Sequence, residues 1–314
     1  MTAGSKNGVD PDRILIDVHF QNTPEVIATW LMRGADGWVM IDCGPSTSQA
    51  TLEARVAEAG IDMGDVCRIV LTHIHLDHGG ATGTLLRDHP HLRVTVHQDA
   101  AQVLIDPSRL LGSAAKSFGD RMEQLWGEVI GVDPDRIDPI LPGDIVPGTQ
   151  LWAIATPGHT GTHLSYLNLD DGVLFAGDAT HARLPVSNVI IPTLAPIELD
   201  FDAWQSTAVK IRALKPTALA LPHFGWVADA DEHLGQIEER ILSRIRIAEQ
   251  VVTSLANVEP LTDAIRRRSR EEYHADDCDP EARLASMELA MPSFLAAQGL
   301  LRWYKVHGIL LDRP

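Results

Sequence analysis

The run His73-Ile74-His75-Leu76-Asp77-His78-Gly79-Gly80 directly follows an apolar stretch, Val66 to Leu71, and constrains this chain more than any other segment. Three more metal-binding side-chain types recur later in the same context. His159 lies in Thr156-Pro157-Gly158-His159-Thr160-Gly161, Asp178 in Phe175-Ala176-Gly177-Asp178, and His223 in Leu221-Pro222-His223-Phe224-Gly225. Each follows a short apolar run of the kind that forms a buried strand. A strand end held in a sheet fixes a side chain rigidly, and several ends on one edge can converge on one point. Imidazole and carboxylate suit zinc, and also iron or manganese. Loop residues at i, i+2, i+4 and i+5 do not all reach one ion comfortably. They can divide between two ions a few ångströms apart.

The rest of the chain supplies strands and helices for such a frame. Val26 to Met32 and Trp38 to Ile41 flank the turn Gly34-Ala35-Asp36-Gly37 and read as a hairpin. Ser46 to Ala59 suits a helix stopped by Gly60. Leu92 to His97, Leu151 to Ala155, Leu164 to Leu169, Val173 to Ala176 and Ala218 to Leu221 read as strands. Asp170-Asp171-Gly172 marks a hairpin between two of them. Asp202 to Leu214 reads as a helix. Residues 98–146 differ in character. Met122, Leu125, Trp126 and Val129 share one face of a helix, so this stretch is expected to be a helical insertion that packs on the core, covers the site or meets another copy. From Asp229 the pattern is helical almost to the end, with Leu234, Ile237, Ile241, Ile245 and Ala248 on one stripe. The expected division is therefore 13–228, then a helical region 229–314 packed on it. Residues 1–12 read as a loose tail.

Composition narrows the function classes. With 314 residues, 45% of them hydrophobic, the chain can bury a sizeable core. Its 43 acidic and 26 basic residues give a net charge of −17, which repels phosphate backbones and anionic lipid. The cluster Arg266 to Arg268 with Arg270 is followed at once by Glu271 and Glu272, and reads as a solvated helix face. Cys43, Cys67 and Cys278 have no metal-ligand spacing and give no disulfide framework. The N-terminus is polar, and no apolar run approaches the roughly 18 residues that suggest a membrane span. These features lead to the expectation of a cytoplasmic protein that binds neither nucleic acid nor membrane.

The ordered motifs resemble those of the metallo-β-lactamase superfamily. The signature H-x-H-x-D-H is met by His73, His75, Asp77 and His78, and the later His, Asp and His by His159, Asp178 and His223. The resemblance covers roughly residues 14–228 and comes nearest, in its ligand set, to hydroxyacylglutathione hydrolases. It implies an α/β fold, an αββα sandwich whose two sheets present these loops at one edge, here with a C-terminal helical appendage. It implies two divalent ions, zinc first and iron or manganese otherwise. One site would use His73, His75 and His159, the other Asp77, His78 and His223, with Asp178 bridging. Asp42 matches an acidic residue that braces the histidine loop. His181, close after Asp178, is expected near the metals and is a candidate for touching substrate. His163 is expected to be a supporting residue.

The resemblance also implies a reaction. A hydroxide shared by two ions attacks an electrophilic carbonyl, and Asp77 assists proton movement. Asp178 stands where class B1 β-lactamases have Cys, which argues against penicillins. Ala179-Thr180-His181 lacks the Tyr of acyl-homoserine lactonases, and the Cys-Gly-Arg-type signature of glutathione thioesterases is absent. The expectation is a small-molecule carboxylic thioester or ester with a partly apolar acyl group, on a chain that can form homo-oligomers. Alternatives are a lactonase, a mononuclear iron dioxygenase of persulfide type, and a non-catalytic binding protein on the same scaffold.

Overall fold

The computed structural model describes residues 11–185, 187–194, 198–251, 258–276 and 279–307. Most of the loose tail expected over residues 1–12 lies outside them. Two sheets face each other. The first has the order β1 (Arg13–Asp17), β2 (Ala28–Arg33), β3 (Trp38–Ile41), β4 (Val66–Val70), β5 (Arg93–His97) and β6 (Ile137–Ile140). The second contains β7 (Leu151–Ala155), β8 (Leu164–Asn168), β9 (Val173–Phe175), β10 (Ala218–Leu221) and β11 (Gly225–Val227), in the spatial order β11-β10-β9-β8-β7. Antiparallel pairing joins β1 to β2 and β2 to β3, and parallel pairing continues from β3 to β6. In the second sheet only β9 and β10 run parallel.

Both faces of each sheet are covered, which is why the strands read as unbroken apolar runs rather than alternating ones. The period of two still sorts their side chains. Val39 and Ile41 of β3 face the layer between the sheets, with Phe175, Ala218 and Ala220 from the second sheet. Trp38 and Met40 face outward onto Leu52, Val56 and Leu85 of helices. Leu174, Leu219 and Leu221 face the opposite outer layer, beside Trp204 and Ile211. The result is helix, sheet, sheet, helix, an αββα sandwich. Each such aliphatic side chain contributes roughly 1.5–3 kcal/mol when fully buried.

Helix Ala230–Val251 places Leu234, Ile237, Ile241 and Ala248 in that outer layer, with half-buried Ile245 packed against it. Helices Glu259–Ala275, Pro280–Ala290 and Ser293–His307 complete the C-terminal region. Within it, Arg244 is 2% exposed and forks onto Glu272, with Nη1 donating to Oε1 at 3.0 Å and Nη2 to Oε2 at 2.7 Å. The basic cluster is an ion-paired helix face, with Arg266 on Glu288, Arg268 on Glu272 and Arg270 on Glu281.

The structure corrects the sequence reading in three places. Residues 98–146 are not wholly helical, because Ile137–Ile140 forms β6 and extends the first sheet. The helix expected across Met122 to Val129 stops at Trp126, where Gly127 turns the chain at φ 67°. Val129 nevertheless packs on the same core from outside the helix. Strands β1 and β11, unexpected from the sequence, each add an antiparallel edge to a sheet.

Removing the carboxylate under Arg244 tests the C-terminal packing. Breaking a buried ion pair costs about 3–5 kcal/mol, because an uncompensated charge stays buried. Glu272→Ala is expected to lower unfolding stability by that amount in denaturant titration, and a loss under about 1 kcal/mol would refute the assignment. Burial raises the Glu272 pKa, but the Arg244 hydrogen bonds and charge outweigh it and leave it lowered. Its stabilisation is therefore present above the unfolded value of about 4.3 and lost as pH falls through the lower folded value.

Candidate metal centre

The histidine loop leaves the end of β4 and is gripped from the second sheet. Tyr166 Oη donates to the Leu71 carbonyl at 2.7 Å, and the Leu164 N–H donates to the Thr72 carbonyl at 2.8 Å. The short helix Leu76–Gly79 then carries Asp77 and His78, and the N–H groups of Cys43 and Gly44 hold the His78 carbonyl. His159 follows β7, Asp178 follows β9 and His223 follows β10. All seven residues singled out in the sequence meet at one edge of the sandwich.

They form three overlapping groups, His73/His75/His159, His73/His78/Asp178 and Asp77/His78/His223, with ligand-type atoms within 4.8 Å of one another in each. His75 Nδ1 lies 3.1 Å from His73 Nε2 and 2.9 Å from His159 Nε2. His223 Nε2 lies 3.3 Å from His78 Nε2, and Asp77 Oδ2 lies 3.4 Å and 3.6 Å from these two nitrogens. Asp178 stands between the clusters. Its Oδ2 is 3.3 Å from His159 Nε2, whereas its Oδ1 is 3.5 Å from His78 Nε2 and 3.7 Å from His223 Nε2. Oδ1 is buried with no hydrogen-bond partner among the described residues.

Four of the imidazoles are anchored through Nδ1. His78 Nδ1 meets Asp42 Oδ2 at 2.9 Å, and His73 Nδ1 meets Thr72 Oγ1 at 3.1 Å. His159 Nδ1 meets the Thr193 carbonyl at 2.6 Å, and His223 Nδ1 the Val26 carbonyl at 2.9 Å. Carbonyl and carboxylate oxygens only accept, so the proton belongs on Nδ1 there, and Nε2 is left with a lone pair aimed at the centre. Thr72 Oγ1 donates to Asp42, so it too accepts from His73. Burial lowers the pKa of His73 and His159 well below the ordinary value, and neighbouring imidazoles lower it further. Burial pulls His78 the same way, but Asp77, Asp178 and Asp42 outweigh it and raise it to about 10, so a metal ion would have to displace a proton from its Nε2. Burial raises Asp178 to about 6 against the pull of His78 and His223.

Asp42, expected as a brace, makes its contact to His78 from a backbone at φ 54°, unusual for a non-glycine residue and a form of local strain found at functional sites. Its Oδ1 also accepts the Thr72 N–H at 2.8 Å. His163 accepts the Asp178 N–H on Nε2 at 3.0 Å and is held by Thr156 Oγ1 at 2.8 Å. Gly177 is required beside it, since a Cβ there would lie 2.5 Å from His163 Nε2 and 2.8 Å from Thr72 Cβ. His181 is placed differently from the substrate contact considered for it. It is buried behind Thr193, accepts that residue's N–H at 3.3 Å and lies against the Trp204 ring. Thr72, Thr193 and the Val26 carbonyl were missed by sequence reasoning. Thr72 alone carried a signal, as the polar residue two past the end of β4 and directly before His73.

An apolar cavity opens over the centre. His75, Asp77, His159 and Asp178 form its floor. Phe118 and Trp126, from the helices Ser108–Phe118 and Met122–Trp126, form one wall, and Phe294 and Leu295 of helix Ser293–His307 form another. Phe20 stacks on Trp126, and Phe118 packs edge-on against both Trp126 and Phe294. The helical part of residues 98–146 thus walls the cavity together with the C-terminal helices.

Residues 22–223 match the family model described as the metallo-beta-lactamase superfamily. The chain belongs to that superfamily. It is 31% identical over 221 residues to a metallo-beta-lactamase fold-containing protein from Sulfurisphaera tokodaii, covering 68% of this chain and 79% of that one. It is 27% identical to a hydroxyacylglutathione hydrolase from Cupriavidus taiwanensis over 49% of this chain and 48% of that one. The crystal structure of a metallo-beta-lactamase family protein from Thermus thermophilus superposes over 95% of each chain, with a TM-score of 0.66 at 20% identity. That match spans the C-terminal helices as well as the sandwich. The buried histidine and aspartate groups of this superfamily member make it a metallo-hydrolase.

Asp42→Asn tests the bracing. An amide can accept from Thr72 or from His78, not both, so one ring or the loop loses its anchor. Loss of such an anchor lowers metal affinity about 10–100-fold. Competition with a chromophoric chelator should show that fall, and unchanged affinity would show that Asp42 does not orient His78.

Proposed function

We propose that this chain is a dinuclear metallo-hydrolase acting on a carboxylic thioester or ester with a partly apolar acyl group. The observation that carries this reading is the division of the Asp178 oxygens, one toward His159 and the other toward His78 and His223. A carboxylate so placed can serve two ions at once. His73, His75 and His159 would hold one, and Asp77, His78 and His223 the other. The donor set fits, because the Nε2 lone pairs face inward and the buried Asp178 Oδ1 lacks a hydrogen bond. Nitrogen with carboxylate favours zinc, with iron or manganese as the other candidates.

Two divalent ions supply Lewis acidity toward water and toward a carbonyl oxygen. The chain's own residues do the rest. His73, His78, His159 and His223, fixed through Nδ1, hold their positions without reorganisation. The Phe118, Trp126 and Phe294 wall excludes bulk water and receives the acyl group. Burial raises the Asp77 pKa, but His78 and His223 outweigh it and keep the carboxylate ionised. Because Asp77 also borders the cavity, it can take a proton from water and return it to the departing thiol or alcohol. The similarity to a hydroxyacylglutathione hydrolase supports an acyl substrate, and the apolar wall supports an acyl group larger than a hydroxyacyl unit.

Metal analysis after reconstitution should find two ions per chain. Asp178→Ala should weaken both positions together, so that a calorimetric titration loses both binding events rather than one. A single remaining site of native affinity would overturn the bridge.

Asp77→Asn keeps the shape but cannot take up a proton. General acid–base help contributes roughly 10²–10⁴-fold, so kcat on an acyl thioester should fall by at least about 100-fold with metal in excess. His89→Ala, on a ring paired with Glu53 away from the centre, should leave it intact. Near-normal turnover by Asp77→Asn with both ions bound would remove the proton-handling role.

A further inference from the structure

His75 borders two openings. One is the apolar cavity, and the other is a groove on the far side of helix Ser108–Phe118. Leu110, Ser113 and Ser117 line both, so this helix is the partition between them. Toward the groove it presents Arg109 and Lys116, and helix Ser293–His307 presents Lys305 beside Arg302, which already has an interaction partner. Ser117 Oγ ties the helices together by donating to Gln298 Oε1 at 2.9 Å.

This concentration of cations runs against a chain of net charge −17. Some exposed arginines elsewhere are neutralised, Arg87 by Asp88 and Glu128, and Arg268 by Glu271 and Glu272, whereas Arg121, Arg246 and Arg267 stand without an ion pair among the described residues. Arg109, Lys116 and Lys305 make no ion pair among the described residues. Of the acids beside them, Glu198 already accepts the Gly161 N–H at 2.9 Å, and Asp99 is the other. Arg109 and Lys116 are seven residues apart on one helix, about 10 Å along its axis at 1.5 Å per residue. One carboxylate cannot span them, whereas charge spread over several phosphate groups can.

We propose that the groove binds the leaving group of the substrate, a carrier thiol bearing several phosphates, while the apolar cavity holds the acyl chain. The proposal rests on the thioester reading above. Water forms the new C–O bond, the C–S bond breaks, and the thiol departs with a proton. The junction at His75 places the metal groups where a thioester carbonyl would lie between an apolar arm and a polyanionic one.

The test compares octanoyl-coenzyme A, octanoyl-pantetheine and octanoyl-glutathione with metal-loaded enzyme. At low salt, kcat/KM for the coenzyme A ester should exceed that for the pantetheine ester by about tenfold or more, worth about 1.4 kcal/mol, and the advantage should shrink at high salt. In R109S/K116S and in K305S the ratio should fall about fivefold, whereas R87S should leave it unchanged. Thermal unfolding of each variant checks its fold. A ratio near one, a ratio unmoved by the groove variants, or a glutathione ester as good as the coenzyme A ester would overturn the proposal. Calorimetry with free coenzyme A separates the two readings. If no thioester turns over yet coenzyme A binds wild type and not R109S/K116S, the hydrolytic reading fails and the groove stands. If thioesters turn over but coenzyme A does not bind, the groove proposal fails alone.

Discussion

A carboxylate oxygen buried without a hydrogen bond is costly, and the Asp178 side chain is only 3% exposed. It is tolerable because imidazole nitrogens surround it and because the residue is pinned through its backbone. Its N–H donates to His163 and its carbonyl accepts from Thr193 Oγ1. Thr193 passes the constraint on, since its carbonyl anchors His159. His163 passes it to the other sheet strands through Thr156, whose hydroxyl meets Ser165 Oγ at 2.9 Å. The polar layer under the centre is therefore one connected network, and the position of this carboxylate fixes the rest.

That network works only because the sandwich is rigid around it. The anchors for the four imidazoles come from a loop before β2, from the end of β3, from the end of β4 and from the segment after β9. None of these lies near its histidine in the chain except Thr72. Pairing within the first sheet sets Asp42 beside Val70, and the Asp42 N–H donates to the Val70 carbonyl at 3.0 Å. Trp30 Nε1 reaches across the layers to the Leu221 carbonyl at 3.1 Å and holds the two sheets in register just before His223. Misplacing either sheet would move donors and anchors apart together, so packing between the sheets and metal geometry are one constraint.

The parts of this arrangement legible in the sequence were those with local signatures. His73, His75, Asp77 and His78 share one loop, and His159, Asp178 and His223 each follow an apolar run. Strands buried on both faces are mostly apolar, which made β3, β10 and, despite Arg68, β4 readable. The missed strands had other compositions. β1 is RILID at a sheet edge, with Arg13 in an ion pair to Asp171, and β6 contains Asp138 and Pro139. Such edge strands lack the continuous apolar run that flags an interior strand. Thr193 and the Val26 carbonyl could not be found at all, because backbone acceptors leave no trace in side-chain pattern. His181 misled for the opposite reason. Nearness to Asp178 in sequence put it close to the centre, but at φ 68° the chain turns it into the layer beneath, onto Trp204.

The division of labour follows from where variable surface is available. The sheet edges are occupied by donors and their anchors, so substitution there disturbs the centre. The cavity walls and much of the groove come instead from helices Ser108–Phe118, Met122–Trp126 and Ser293–His307. A helix with solvent or cavity on several faces can carry different chemistry on each. Ser108–Phe118 does so, with no fully buried residue, apolar Phe118 on one side and Arg109 with Lys116 on another. Selectivity can then change along that helix without moving His73, Asp178 or their anchors, because no residue of the helix hydrogen-bonds to them among the described residues. Ser117 meets Gln298 instead, so the elements that shape the substrate are tied to one another rather than to the metal groups.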